Sequence, residues 1–173
     1  MPSASGFSDP SFLNLRWRWA AHIWTRTMEP MLKFKRLANG DGLPLPTYTT
    51  LGAAGMDICS AESAALSPGN TRIFETGFAV EVPAGFELQV RSRSGLAAKQ
   101  GVFVTNGIGT IDEDYRGEVK VILSCLGKAT HKIERGDRIA QLVLAPVVRV
   151  PVLEVSDLTT TDRGVGGLGS TGR

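Results

Sequence analysis

Three stretches of this sequence combine acidic, basic and hydroxyl side chains with glycine in ways that strand packing does not demand. In TNGIGTIDEDYRGEVKV, residues 105–121, Asp112, Asp114 and Glu118 surround Tyr115 and Gly117. A carboxylate at a strand end facing a cleft can take a proton from water as a general base. The same acids are also ordinary turn chemistry, and Tyr115 is either a stacking surface for a sugar or base or a core residue. In RSRSGLAAKQG, residues 91–101, Arg91 and Arg93 alternate as on a strand and would point the same way, and Ser94 and Gly95 open a short helix. Arg93, the Ser94 hydroxyl and free N–H groups make an anion site there, although a solvated arginine pair has the same pattern. In AAGMDICSAE, residues 53–62, Asp57 stands between Met56 and Ile58, as a strand-edge or turn aspartate would.

A fourth stretch lies at the C-terminus. RGVGGLGSTGR, residues 163–173, has glycine spacing suited to a phosphate, but Ser170 occupies the position where a P-loop carries lysine, and no helix can follow. The run from residue 159 contains little that could be buried, so without a ligand it is expected to be mobile. Fifteen extended residues reach about 50 Å, far enough to close over a site on another subunit.

The elements that must hold these groups read as β-structure. Short runs rich in Val, Ile, Thr and Phe, broken by Gly, Pro, Asn and Asp, begin near residue 31. TRIFETGFAVEVP and FELQVRSRS read as strands joined by a tight turn at Pro83–Gly85. Glu118 to Leu126 alternates as a half-buried strand does. In a β-hairpin the D-E-D-Y-R-G portion would be the turn before it. HKIERGDRIAQLVL reads as two strands about a Gly136-Asp137 turn, and SGLAAKQG is the one helix, ended by Gly101. Many short strands at such spacing define an all-β sandwich or jelly roll.

Composition narrows the function. The net charge is +2, and the basic excess sits in residues 1–27, where Arg16, Arg18 and Arg26 face Asp9 alone. The remainder is balanced, which excludes a nucleic-acid-sized basic surface. Two cysteines, Cys59 and Cys125, and two histidines have no metal-ligand spacing, so reduced thiols in a cytosolic protein are expected. The leader carries all three tryptophans and reads as an extension, with organellar targeting or a docked helix as alternatives. No apolar run is long enough for a membrane span, and no stable membrane association is expected.

In sequence order, AGxD, RSGLA-x-K-x-G, G-x-ID-x-DYRGE, GDRIAQL and RG-x-GG-x-GSTG resemble the five motifs of the trimeric deoxyuridine triphosphate nucleotidohydrolases, the dUTPases. The resemblance runs from about residue 31 to the C-terminus. It implies an extension over residues 1–30, a β jelly-roll (distorted β-barrel) domain over 31–158 and a glycine-rich lid over 159–173. It implies a homotrimer with active sites at subunit interfaces, in the cytoplasm, and hydrolysis of dUTP to dUMP and diphosphate with Mg2+. That reaction removes dUTP from the nucleotide pool and supplies dUMP for dTMP synthesis.

The resemblance also implies roles. Asp112 would deprotonate the water that attacks the α-phosphorus in line, and Tyr115 would pack on the deoxyribose and exclude a 2′-hydroxyl. Asn106 and main-chain groups of Gly109, Thr110 and Ile111 would read uracil, the hairpin excluding thymine's methyl. Arg93, Ser94 and Gly95 would bind the triphosphate, with Lys120 and Gln141 as further substrate contacts. Asp57 would reach the metal through water. Arg163, Leu168, Gly169, Ser170 and Thr171 would wrap the bound nucleotide, which explains a phosphate loop at a free terminus: closure supplies charge and excludes water only with substrate present.

Four positions depart from the usual pattern. Ser92 replaces a proline, which would loosen its turn; Leu168 replaces a phenylalanine over the base, and Met56 and Cys125 are also unusual. A deoxycytidine triphosphate deaminase of the same fold, and a dUTPase-like binding protein regulating a partner, are the competing readings.

Overall fold

The computed structural model describes residues 30–167, so the leader and Leu168, Gly169, Ser170 and Thr171 lie outside the described residues. Ten strands and one helix follow in order: β1 Lys33–Arg36, β2 Met56–Cys59, β3 Ala64–Leu66, β4 Thr71–Glu81, β5 Phe86–Arg91, α1 Ser94–Gln100, β6 Val102–Val104, β7 Ile108–Ile111, β8 Glu118–Cys125, β9 His131–Ile133 and β10 Arg138–Pro146. One four-stranded sheet has the order β1-β4-β8-β6, a second β2-β10-β5-β7, and β3 pairs with β9. All pairs are antiparallel. The all-β architecture with one short helix is the expected one. No described helix is long and apolar enough to cross a membrane.

The turns read from the sequence exist, but they do not close hairpins. Phe86 N–H bonds to Pro83 C=O at 3.2 Å, and Gly85 has φ of 81°. Yet β4 and β5 belong to different sheets. Around Gly136-Asp137, β9 pairs with β3 and β10 with β2 and β5. The Asp112–Gly117 segment likewise joins β7 of one sheet to β8 of the other. Tight-turn chemistry specifies a change of direction; which strand receives the backbone depends on the sheet face it must cover.

Between the sheets lies one apolar core. Phe74, Val119, Val121 and Leu123 from the first sheet meet Ile58, Leu88, Val90, Ile139 and Leu142 from the second, all buried. The alternation in β8 is what the sequence pattern requires, with Val119, Val121 and Leu123 inward and Lys120 in solvent. Cys59 and Cys125 are free and buried, and burial, followed by the charge of Asp57, raises the Cys59 thiol pKa. Helix α1 ends as expected, with Gly101 left-handed at φ of 67° and its N–H on Ala97 C=O.

The β4–β8 pairing is irregular at one place. From Glu75 to Ala79 β4 advances four residues while β8 moves two, from Lys120 to Glu118. Gly77 at the centre has φ of 75°. The Ala38–Gly40 3-10 turn packs onto this bulge so closely that a Cβ on Gly40 would lie 2.2 Å from the Gly77 oxygen. A Cβ on Gly77 would lie 2.2 Å from Gly40 Cα, so neither position has room for a side group. Buried Thr76 secures the bulge by donating to Val119 C=O at 2.6 Å. Gly77→Ala is expected to cost roughly 2–4 kcal/mol through strain and backbone collision, seen as a lower urea midpoint.

Candidate active site

Strand β7 forms the floor of a cleft of about 230 Å3, lined by Asn106, Gly109, Thr110, Ile111, Asp112, Tyr115, Glu118 and Lys120 with apolar residues beneath. The local fold explains why these groups meet. Antiparallel pairing with β5 through Leu88↔Ile111 and Arg91↔Ile108 flattens the backbone from Ile108 to Ile111. Ile111 is buried, while Asn106, Thr110 and Asp112 remain exposed. Gly109 leaves the floor open: a Cβ there would lie 3.1 Å from Val90 Cβ and 3.3 Å from Asn106 Nδ2. Tyr115 is 42% exposed and therefore not core; its Oη donates to Glu118 C=O at 2.9 Å. Lys120 Nζ faces Glu75 Oε1 at 3.5 Å.

A second polar cluster sits at the far end of the same sheet. Asp57 on β2 accepts Arg93 Nε at 3.0 Å and Arg138 Nη1 at 2.8 Å, one guanidinium on each carboxylate oxygen. Arg93 Nη1 also donates to Arg138 C=O at 2.9 Å. Arg138 is the residue that the role assignment missed, although it stands inside the GDRIAQL run. The signal was an arginine three residues before Gln141 on the strand that pairs with β2. Arg91 and Arg93 do not act as a pair: Arg91 ends β5 and donates to Gln89, while Arg93 lies beyond the strand and turns to Asp57.

Ser92 does not loosen its turn. Its Oγ accepts Val104 N–H at 2.8 Å, and its C=O accepts Gln141 Nε2 at 3.0 Å. A proline offers no such side-group acceptor. Gln141 thus holds the turn that leads to Arg93 and Ser94.

The two clusters do not meet within one subunit. Along β5 and β7, Asp112 lies past the Leu88↔Ile111 pair and Arg93 past the Arg91↔Ile108 pair. At about 3.3 Å per residue, Asp112 and Arg93 are about 20 Å apart. Arg163 donates to Gly166 C=O at 2.8 Å, within a turn away from both clusters' hydrogen bonds. Among the described residues, no three His, Cys, Asp or Glu side chains gather as a protein-built metal cage requires.

The jelly-roll fold, a polar cleft on one edge strand and an arginine–carboxylate cluster on its sheet define a nucleotide-hydrolase scaffold. Residues 41–172 match the dUTPase family model. The chain is 54% identical over 145 residues to a deoxyuridine 5′-triphosphate nucleotidohydrolase of Zymomonas mobilis, covering 84% of this chain and 99% of that one. To the enzyme of the same name from Anaplasma marginale it is 54% identical over 146 residues, covering 82% and 99%. Among solved structures, the Staphylococcus bacteriophage 80alpha dUTPase with dUPNHPP superposes with a TM-score of 0.73 at 27% identity, covering 83% of this chain and 99% of that one. The chain belongs to the dUTPase family.

Ser92→Ala leaves the buried Val104 amide without its acceptor and is expected to cost about 1–3 kcal/mol. Urea denaturation beside the parent protein measures it.

Proposed function

We infer that this protein is a dUTP diphosphatase, hydrolysing dUTP to dUMP and diphosphate, and so removing dUTP from the nucleotide pool and supplying dUMP for dTMP synthesis. The observation that carries the reading is the β7 cleft, where a carboxylate, an amide, a tyrosine ring and backbone polar groups converge on a space the size of a nucleoside. Asn106 and the backbone from Gly109 to Ile111 read the uracil edge, and the narrow floor leaves no place for a 5-methyl group. Tyr115 packs on the deoxyribose. Asp112 takes a proton from the water whose oxygen bonds to the α-phosphorus, while the bond from that phosphorus to the bridging oxygen breaks and diphosphate leaves. Lys120 contacts the substrate nearby.

Arg93, Ser94, Gly95 and Gln141 form the phosphate side. Because Asp112 and Arg93 lie at opposite ends of a strand pair, one subunit supplies half of the groups the reaction needs. A homotrimer in which one subunit's phosphate side faces another's β7 cleft completes the set. Residues 147–158 support this: Val148, Val152, Leu153 and Leu158 are all more than four-fifths exposed, an apolar run that a neighbour can cover. The lid over 159–173, with Arg163, Leu168, Gly169, Ser170 and Thr171, then closes on the triphosphate. The protein divides accordingly into an extension over 1–30, a jelly-roll domain over 31–158 and that lid, and a cytoplasmic location suits its nucleotide substrate.

Mg2+ fits this donor set as an ion carried on the phosphates, where it neutralises charge on the triphosphate. Asp57, with a guanidinium on each oxygen, retains lone pairs for a bound water but is not placed to build a cage. A related dUTPase from phage phi11 of Staphylococcus aureus, 25% identical with a TM-score of 0.67 over 73% of this chain and 97% of that one, coordinates a structural Mg(II) ion.

Diphosphate release is expected from dUTP and not from dTTP, dCTP or UTP, and to require Mg2+; ammonia release from dCTP would instead identify a deaminase. Asp112→Asn is expected to lower kcat about 1,000-fold or more while retaining a non-hydrolysable dUTP analogue. Analytical ultracentrifugation is expected to give three times the protomer mass of 18.5 kDa, and a truncation ending at Pro146 to sediment as a monomer.

A further inference from the structure

We propose that Asn39, outside all five motifs, is a positioning residue for Tyr115 and helps set discrimination between the deoxyribose and ribose forms of the substrate. This rests on the reading of Tyr115 as the sugar-facing residue. Asn39 lies in the Ala38–Gly40 turn, and its Nδ2 donates to Glu118 Oε1 at 2.9 Å and to Glu75 Oε2 at 3.0 Å. An amide nitrogen has two hydrogens, so both are used. The same Glu118 oxygen accepts Gly77 N–H at 2.8 Å, which ties the carboxylate to the β4 bulge. From the other side of Glu118, its backbone carbonyl accepts Tyr115 Oη.

Tyr115 has no core packing to hold it, being 42% exposed. Its seat has two parts. One is that hydrogen bond to Glu118; the other is Gly117, where a Cβ would lie 2.4 Å from Tyr115 Oη and 2.6 Å from Cζ. The ring therefore lies directly on the Gly117 backbone. Whatever moves Glu118 moves the acceptor that fixes the ring. Asn39 is also linked to the cleft a second way, because Glu75 Oε1 faces Lys120 Nζ. One amide thus holds two carboxylates together, each touching a cleft residue, and without it the like charges repel. Arg135 anchors the turn itself by donating to the Asn39 C=O at 2.7 Å and the Asp41 C=O at 2.6 Å.

The test compares kcat/KM for UTP and dUTP in the full-length parent, Asn39→Asp, Asn39→Ala, Gly117→Ala and Tyr115→Ala. Asn39→Asp keeps shape but replaces both donors with acceptors, and it is expected to raise the UTP/dUTP ratio about tenfold. The change should fall on KM more than on kcat, because Asp112 is untouched. Gly117→Ala, which displaces the ring directly, is expected to shift the ratio in the same direction. If Asn39→Asp does not fold, Asn39→Ala removes the donors without adding charge and carries the same test. An unchanged ratio in the foldable Asn39 variant, with or without loss of overall activity, while Tyr115→Ala changes it, overturns the inference and leaves the Tyr115 reading intact. An unchanged ratio in Tyr115→Ala overturns that reading, and the role of Asn39 falls with it.

Discussion

The contact between Gly40 and Gly77 is the constraint from which the architecture around the cleft follows. Two backbones meet where no side group fits, and this is possible because β4 carries an irregular register with a left-handed glycine at its centre. The bulge lets the N-terminal turn dock against the sheet. It also turns the Gly77 amide toward Glu118, at the start of β8. Beta-bulges commonly re-aim a strand beside a functional site, and here the re-aimed strand carries Glu118 and Lys120 into the cleft wall.

A second organising feature is the repeated transfer of the backbone between sheets. Pro83–Gly85, Asp112–Gly117 and Glu134–Asp137 are tight turns, yet each delivers its strand to a partner distant in sequence. A sandwich built this way places the ends of β5 and β7 side by side without any hairpin between the strands that follow them. Catalytic and phosphate-side groups then occupy opposite ends of one strand pair. Such a division suits an enzyme that assembles its site from neighbouring copies, because neither half can act on the nucleotide alone.

The Asp57 cluster illustrates how charge is balanced before substrate binds. Two guanidiniums on one carboxylate leave a net positive group at the edge of the sheet. Arginine suits this use, since its planar fork can hold a carboxylate and still present N–H groups to a phosphate. The cleft on β7, by contrast, balances Lys120 against Glu75. Positive charge is thus concentrated where the triphosphate is proposed to lie.

Much of this was legible in the residues alone. Alternation in β8, the Gly101 helix end and the turn residues are local properties, determined by side-group period and by which φ a residue tolerates. The order and chemistry of the five motifs identified the family, because motif residues are constrained one by one. What local sequence left open was pairing. Nothing local distinguishes a turn that closes a hairpin from one that crosses between sheets, since that choice rests on burial of the whole apolar face. The same limit hid Arg138 as the partner of Asp57, the acceptor role of Ser92 and the bridge made by Asn39. Each joins residues 12 to 81 positions apart, and contacts at such range exist only once the two sheets have closed on their core.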